Sequence, residues 1–109
     1  MRGVPLFLIL LSACSASDAE LAALKSAHSI VAEWAAVARL ATADQVNATY
    51  AGGMALDARS QLASERAALR TPGDPAARLI DSLGSAPDAA RLTETAAALG
   101  RLEDARENQ

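Results

Sequence analysis

A single cysteine, Cys14, rules out an internal disulfide, and a single histidine, His28, is too little for a zinc-type ligand set. No window of alternating apolar and polar residues marks a strand, and no segment repeats. The one continuous apolar stretch, Val4-Pro5-Leu6-Phe7-Leu8-Ile9-Leu10-Leu11, covers eight residues and is too short to span a bilayer. Basic residues never cluster. Residues 14–109 hold 13 Asp and Glu against 9 Lys and Arg, eight of them Arg dispersed among the acids, so no nucleic-acid partner is expected. No G-x-S-x-G elbow, S-x-x-K motif or phosphate loop occurs. Catalysis, a cofactor and a small-molecule substrate are therefore not expected.

What is present is alanine. Residues 14–109 contain 27 Ala but only 19 large apolar side chains, namely 11 Leu, two Ile, three Val, Met54, Trp34 and Tyr50. So few large side chains make a thin core. Alanine offsets part of this, since it loses no side-chain entropy on entering a helix. A protein partner, a second copy of the chain or a membrane surface would supply the rest.

Arg2 and the α-amino group place positive charge ahead of the apolar stretch, in the layout of a signal peptide. Leu11-Ser12-Ala13-Cys14 follows directly, with each residue type suited to a lipobox at positions −3 to +1. These four residues resemble the signal of bacterial lipoproteins. The resemblance implies that Cys14 receives diacylglycerol, that a dedicated peptidase cuts before it, and that the new amine is acylated. It further implies residence in the cell envelope, with Ser15 in place of Asp favouring the outer membrane over the inner one. Lipidation would also dispose of an otherwise unpaired exported thiol. The alternative is an ordinary secretory signal cut after Ala16, which discards Cys14 and leaves a secreted accessory subunit modulating an envelope enzyme or transporter. Glu33-Trp34-Ala35 and Asn47-Ala48-Thr49-Tyr50 are similar to segments of small alphaproteobacterial lipoproteins, a likeness that carries no activity.

The expected organisation is a signal peptide over residues 1–13, a short tether over 14–16 and an alanine-rich helical domain over 17–109. Ser17-Asp18-Ala19-Glu20 reads as a capping box that starts the first helix. From Ala23 to Ala41 the apolar residues Ala23, Leu24, Ala27, Ile30, Val31, Trp34, Ala35, Val37, Ala38 and Ala41 share one helical arc. A turn is predicted over residues 42–45. A second helix starts there or at Asn47 and ends near Arg70, with Tyr50, Met54 and Leu62 facing the first. Thr71-Pro72-Gly73-Asp74-Pro75 breaks the chain and opens a short third helix, which Gly84 ends. Asp88 opens the last helix. The fold class that follows is all-α: a long antiparallel hairpin covered by a short third and a longer fourth helix, a small up-down bundle.

Four candidate features emerge. His28 falls on the polar side of the first helix and reads as a solvated surface residue. Trp34 and Tyr50 read as core anchors. Arg59, Arg66 and Arg70 share one flank of the second helix, suited either to anionic groups or to acids of a neighbouring helix such as Glu94 or Asp104. Thr49, Gly52, Gly53, Leu56, Ser60, Ala63 and Ala67 form a second face of that helix, directed away from the first. This face predicts a close contact with the last helix, with a second copy or with an envelope protein. If none exists, the glycine pair marks a frayed helix start.

Overall fold

The computed structural model describes the backbone of residues 3–108 and the side chains of residues 18–108. It contains α1 (Gly3–Thr42), α2 (Ala48–Ala68), α3 (Pro75–Asp81) and α4 (Ala89–Glu107). No strand occurs among the described residues, in keeping with the lack of strand periodicity in the sequence. The signal residues Leu11, Ser12 and Ala13 and the lipidation candidate Cys14 lie outside the described side chains.

The helix boundaries follow from local chemistry. At the end of α1, Asp44 takes a left-handed φ of 59°. Gln45 N–H then donates to Leu40 C=O at 2.8 Å and Asp44 N–H to Ala41 C=O at 3.1 Å, the bonding pattern of a Schellman motif. Asn47 caps α2, its side chain accepting from Tyr50 N–H at 2.7 Å. Gly73 (φ 72°) turns the chain into α3, which has Asp74 as its cap and Pro75 in its first turn. Gly84 (φ 68°) turns it out again. Asp88 caps α4 by accepting from Arg91 N–H at 2.8 Å.

The expected start of the first helix is corrected. The backbone of α1 passes through Ser17 without a break, so Ser17 is not an N-cap. A cap needs a non-helical residue, and the Ala-Ser-Asp-Ala-Glu-Leu sequence around it contains no helix breaker. Glu20, the other half of the expected box, instead accepts a hydrogen bond from the Thr71 hydroxyl at 3.0 Å.

α1 is the element against which α2 and α4 pack, and α3 lies against α4 and α2. α4 runs antiparallel to it, with Lys25 paired to Glu107, His28 to Glu103 and Arg39 to Thr93. α2 also runs antiparallel to α1, along a neighbouring flank. α3 starts beside the end of α4 and finishes beside α2, which completes an up-down-up-down bundle. The long fourth helix thus lies along α1 and does not span the α1–α2 hairpin.

The arc expected on α1 is the one that enters the core. Ala23, Leu24, Ala27, Val31, Trp34 and Ala35 are all buried. They meet Ala58 and Leu62 of α2, Ala76, Ala77 and Ile80 of α3, and Leu92, Ala96 and Leu99 of α4. Leu24, Val31, Leu92 and Leu99 are fully enclosed, each stabilising the fold by about 2 kcal/mol. Leu69 and Leu83, just beyond the ends of α2 and α3, seal the core where the chain turns.

Tyr50 departs from expectation. It is 57 % exposed and is no core anchor. The first turns of α2 extend beside the last turns of α1, where Arg39 and Leu40 face solvent. α3 arises at the opposite end of the bundle and does not reach them.

Candidate interaction face and its flanks

The second face of α2 exists as a surface. Thr49, Gly52, Gly53, Leu56, Ser60, Ala63 and Ala67 are all exposed, Leu56 to 70 %. Both glycines lie within the regular helix that Asn47 caps, so they do not mark a frayed start. A Cβ built at either position meets nothing within 4 Å. The last helix therefore makes no contact here, and the internal version of the expected contact is overturned. The cause is the placement of α4 on a different flank of α1. Gly53 leaves a shallow hollow bordered by Thr49, Tyr50, Met54, Leu56 and Asp57, with Leu56 projecting beside it. An isolated helix would lose about 1 kcal/mol at each glycine relative to alanine, and no contact among the described residues returns that loss.

The arginine flank divides into three different environments. Arg66 holds Asp81 of α3 through two bonds, Nε–Oδ1 at 3.0 Å and NH2–Oδ2 at 3.1 Å. This pairing holds the Asp81 carboxyl below its ordinary range. Arg59 lies over the Trp34 ring, its guanidinium carbon 5.8 Å from the ring centroid, a cation–π distance. Arg70 lies beyond the end of α2 and is exposed. Neither Glu94 nor Asp104, the acids expected from sequence, is the partner of any of the three. Both sit on α4, across the bundle.

His28 is not a solvated residue. It is half-buried at the α1–α4 seam, with Nδ1 3.0 Å from Glu103 Oε1. Its ring lies over Gly100, where an added Cβ would stand 3.1 Å from Nε2 and 3.2 Å from Cε1. One signal for this was present in the sequence. An interior glycine in an otherwise unbroken Ala/Leu helix marks a position where a neighbour approaches closely. A double-mutant cycle measures the coupling. In a His28→Ala background, Gly100→Ala is expected to stabilise by about 1 kcal/mol, the helix-propensity gain. With His28 present the gain shrinks, and a coupling of at least about 0.5 kcal/mol is expected. Urea titrations of the four proteins check it.

Sequence reading also missed the buried pair at the base of α3. Asp74 is 3 % exposed. Its Oδ1 accepts from Ala76 N–H at 2.8 Å, and its Oδ2 receives Arg106 of α4 at 3.0 Å. Burial alone would raise its pKa. The Arg106 guanidinium and the amides of Ala76 and Ala77 outweigh burial, and the net shift is downward. One carboxylate thus caps α3 and fastens it to the end of α4.

Among the described residues, no group of three or more His, Cys, Asp or Glu is arranged to hold a metal ion. No described helix is long and apolar enough to cross a membrane. Compared with family models, with curated proteins and with solved structures, the chain matches none.

Proposed function

We propose that the chain is a non-catalytic envelope lipoprotein, anchored by a lipid on Cys14 to the periplasmic face of the outer membrane, that offers the outward face of α2 to a protein partner or a second copy. The observation that carries the interaction role is Leu56, a large apolar side chain 70 % exposed beside two bare glycines. Small residues let another backbone approach closely, and Leu56 fills the role of a knob in such a contact. The anchoring role is supported by Leu11-Ser12-Ala13-Cys14 behind an apolar stretch of signal-peptide length. Asp18 follows Cys14 by only four residues, so the domain works close to the membrane. From Asp18 to the end of α1 at Thr42 the helix rises about 36 Å. The glycine end of α2 starts there, at the end of the bundle remote from the tether.

The test places a photo-crosslinking amino acid at Ser60, on the same face, and irradiates intact cells. A discrete crosslinked product is expected, and it disappears when Gly53→Leu and Leu56→Arg are introduced together. The double variant itself should keep or slightly raise its melting temperature, because neither side chain has a neighbour to displace. A strongly lowered melt would mean that the face is internal. An unaltered crosslinking pattern would mean that it contacts nothing specific.

A further inference from the structure

A second site lies beside the outward face of α2 and shares Ala63 with it. Between α2 and α3 the bundle leaves a cleft of about 280 Å³, floored by Trp34, Leu62, Ile80 and Leu83. All four floor residues are buried, so the bottom of the cleft is hydrocarbon and indole. Its rim is cationic. Arg59 and Arg66 stand on α2, two turns apart, and Asp81 faces them from α3. Arg66 is already satisfied, its guanidinium forked onto the Asp81 carboxylate. Arg59 has only the face of Trp34 beneath it and pairs with no described carboxylate. The cleft therefore combines an apolar floor with one uncompensated guanidinium.

We propose that this cleft binds a linear alkyl monocarboxylate, its carboxylate on Arg59 and its chain along Leu62, Ile80 and Leu83. The charge argues for a monoanion, because a phosphate dianion would also meet the Asp81 carboxylate. The floor argues for an alkyl chain over a peptide terminus, whose N–H groups would find no acceptor among hydrocarbon side chains. Size sets the scale. Ligand pockets begin at roughly 300 Å³, so the cleft suits a medium-length chain and not a drug-sized molecule. Arg66 and Asp81 display the same forked guanidinium–carboxylate recognition within the protein.

Trp34 is the only tryptophan in the chain and forms part of the floor, so its fluorescence reports on occupancy. The full-length protein, held in lipid nanodiscs, is titrated with sodium octanoate and, separately, with octanol. Octanoate is expected to change Trp34 emission saturably, with octanol at least tenfold weaker. Arg59→Gln should weaken octanoate binding at least tenfold, and Ala63→Phe, which fills the cleft mouth, should abolish it. Arg78→Gln and Arg101→Gln, which line a separate groove between α3 and α4, should leave it intact. Affinity should rise about fourfold per methylene from butyrate and level off once the cleft is full. The proposal is overturned by the absence of a saturable change, by equal responses to octanoate and octanol, or by binding that survives both Arg59→Gln and Ala63→Phe. A chain-length dependence that climbs without levelling would also overturn it, since that is partition into the nanodisc lipid.

Discussion

Replacing Trp34 with alanine is expected to abolish the cooperative thermal transition. Trp34 is 6 % exposed and is the largest side chain in the core. Seven of the sixteen buried apolar residues are alanine, so few large neighbours are available to collapse into the space it would leave. Truncating a buried aromatic costs about 3–5 kcal/mol, against a total of about 5–15 kcal/mol for an ordinary domain. The ring also carries Arg59 on its face and joins α1 to the α2–α3 cleft, so three elements loosen together. Circular dichroism should show helical signal that declines gradually with temperature, without a sharp midpoint. Trp34→Phe, which keeps most of the apolar contact, should retain a cooperative but lower melt. A Trp34→Ala midpoint within a few degrees of wild type would show that the core is held elsewhere.

Asp74→Ala is expected to have the next largest effect. It removes the N-cap of α3, a loss of about 0.5–2 kcal/mol, and leaves Arg106 without its carboxylate. Breaking a buried pair by removing one partner costs about 3–5 kcal/mol. Arg106 retains 27 % of its side-chain exposure and can turn partly to water, so the combined effect should be about 3 kcal/mol. Asp74→Asn keeps an acceptor for Ala76 N–H and should cost less than half of that. The same carboxylate gives the fold an acid limit. Its pKa in the folded chain is below the ordinary value, whereas the unfolded chain titrates near 3.9. Its contribution is therefore complete well above pH 4 and is lost as pH falls through the folded value. Chemical denaturation at pH 7 and at pH 3 should show the Asp74→Asn variant losing less stability on acidification than wild type. Equal losses would place the acid sensitivity on other carboxylates.

The parts of this fold that could be read from sequence are those with local causes. Asn47, Asp74 and Asp88 cap helices because a short side-chain acceptor reaches an amide two or three residues on. Gly73 and Gly84 turn the chain because their φ values are positive. The buried arc of α1 follows from helical period alone. What escaped were pairings across the chain. His28 and Glu103 are 75 residues apart, Glu20 and Thr71 are 51 apart, and Asp74 and Arg106 are 32 apart. No periodicity brings such residues together. Glu20 meets Thr71 because α2 returns antiparallel along α1, and the other two pairs follow from α4 lying along α1, which its apolar stripe leaves open because both flanks of the hairpin would bury it. Tyr50 was misread for a related reason. Its position on the inward arc of α2 was correct in angle, but burial also requires a partner at that height, and the tip of the hairpin has none. On the candidate face, the exposure of Gly52, Gly53, Leu56, Ala63 and Ala67 agrees with the angular reading, and only the absence of an internal neighbour is new.

The proposal that the domain is tethered by its first mature residue rests on Cys14, and metabolic labelling tests it most directly. Cells producing the full-length chain are grown with radiolabelled palmitate, and the protein is isolated from the membrane fraction. Wild type should carry the label and migrate as the processed form. Cys14→Ala should carry none and accumulate as an uncleaved precursor. If wild type takes up no label, or if Cys14→Ala is processed and fractionates as wild type does, the chain is not a lipoprotein and the secreted, unanchored reading with cleavage after Ala16 replaces it.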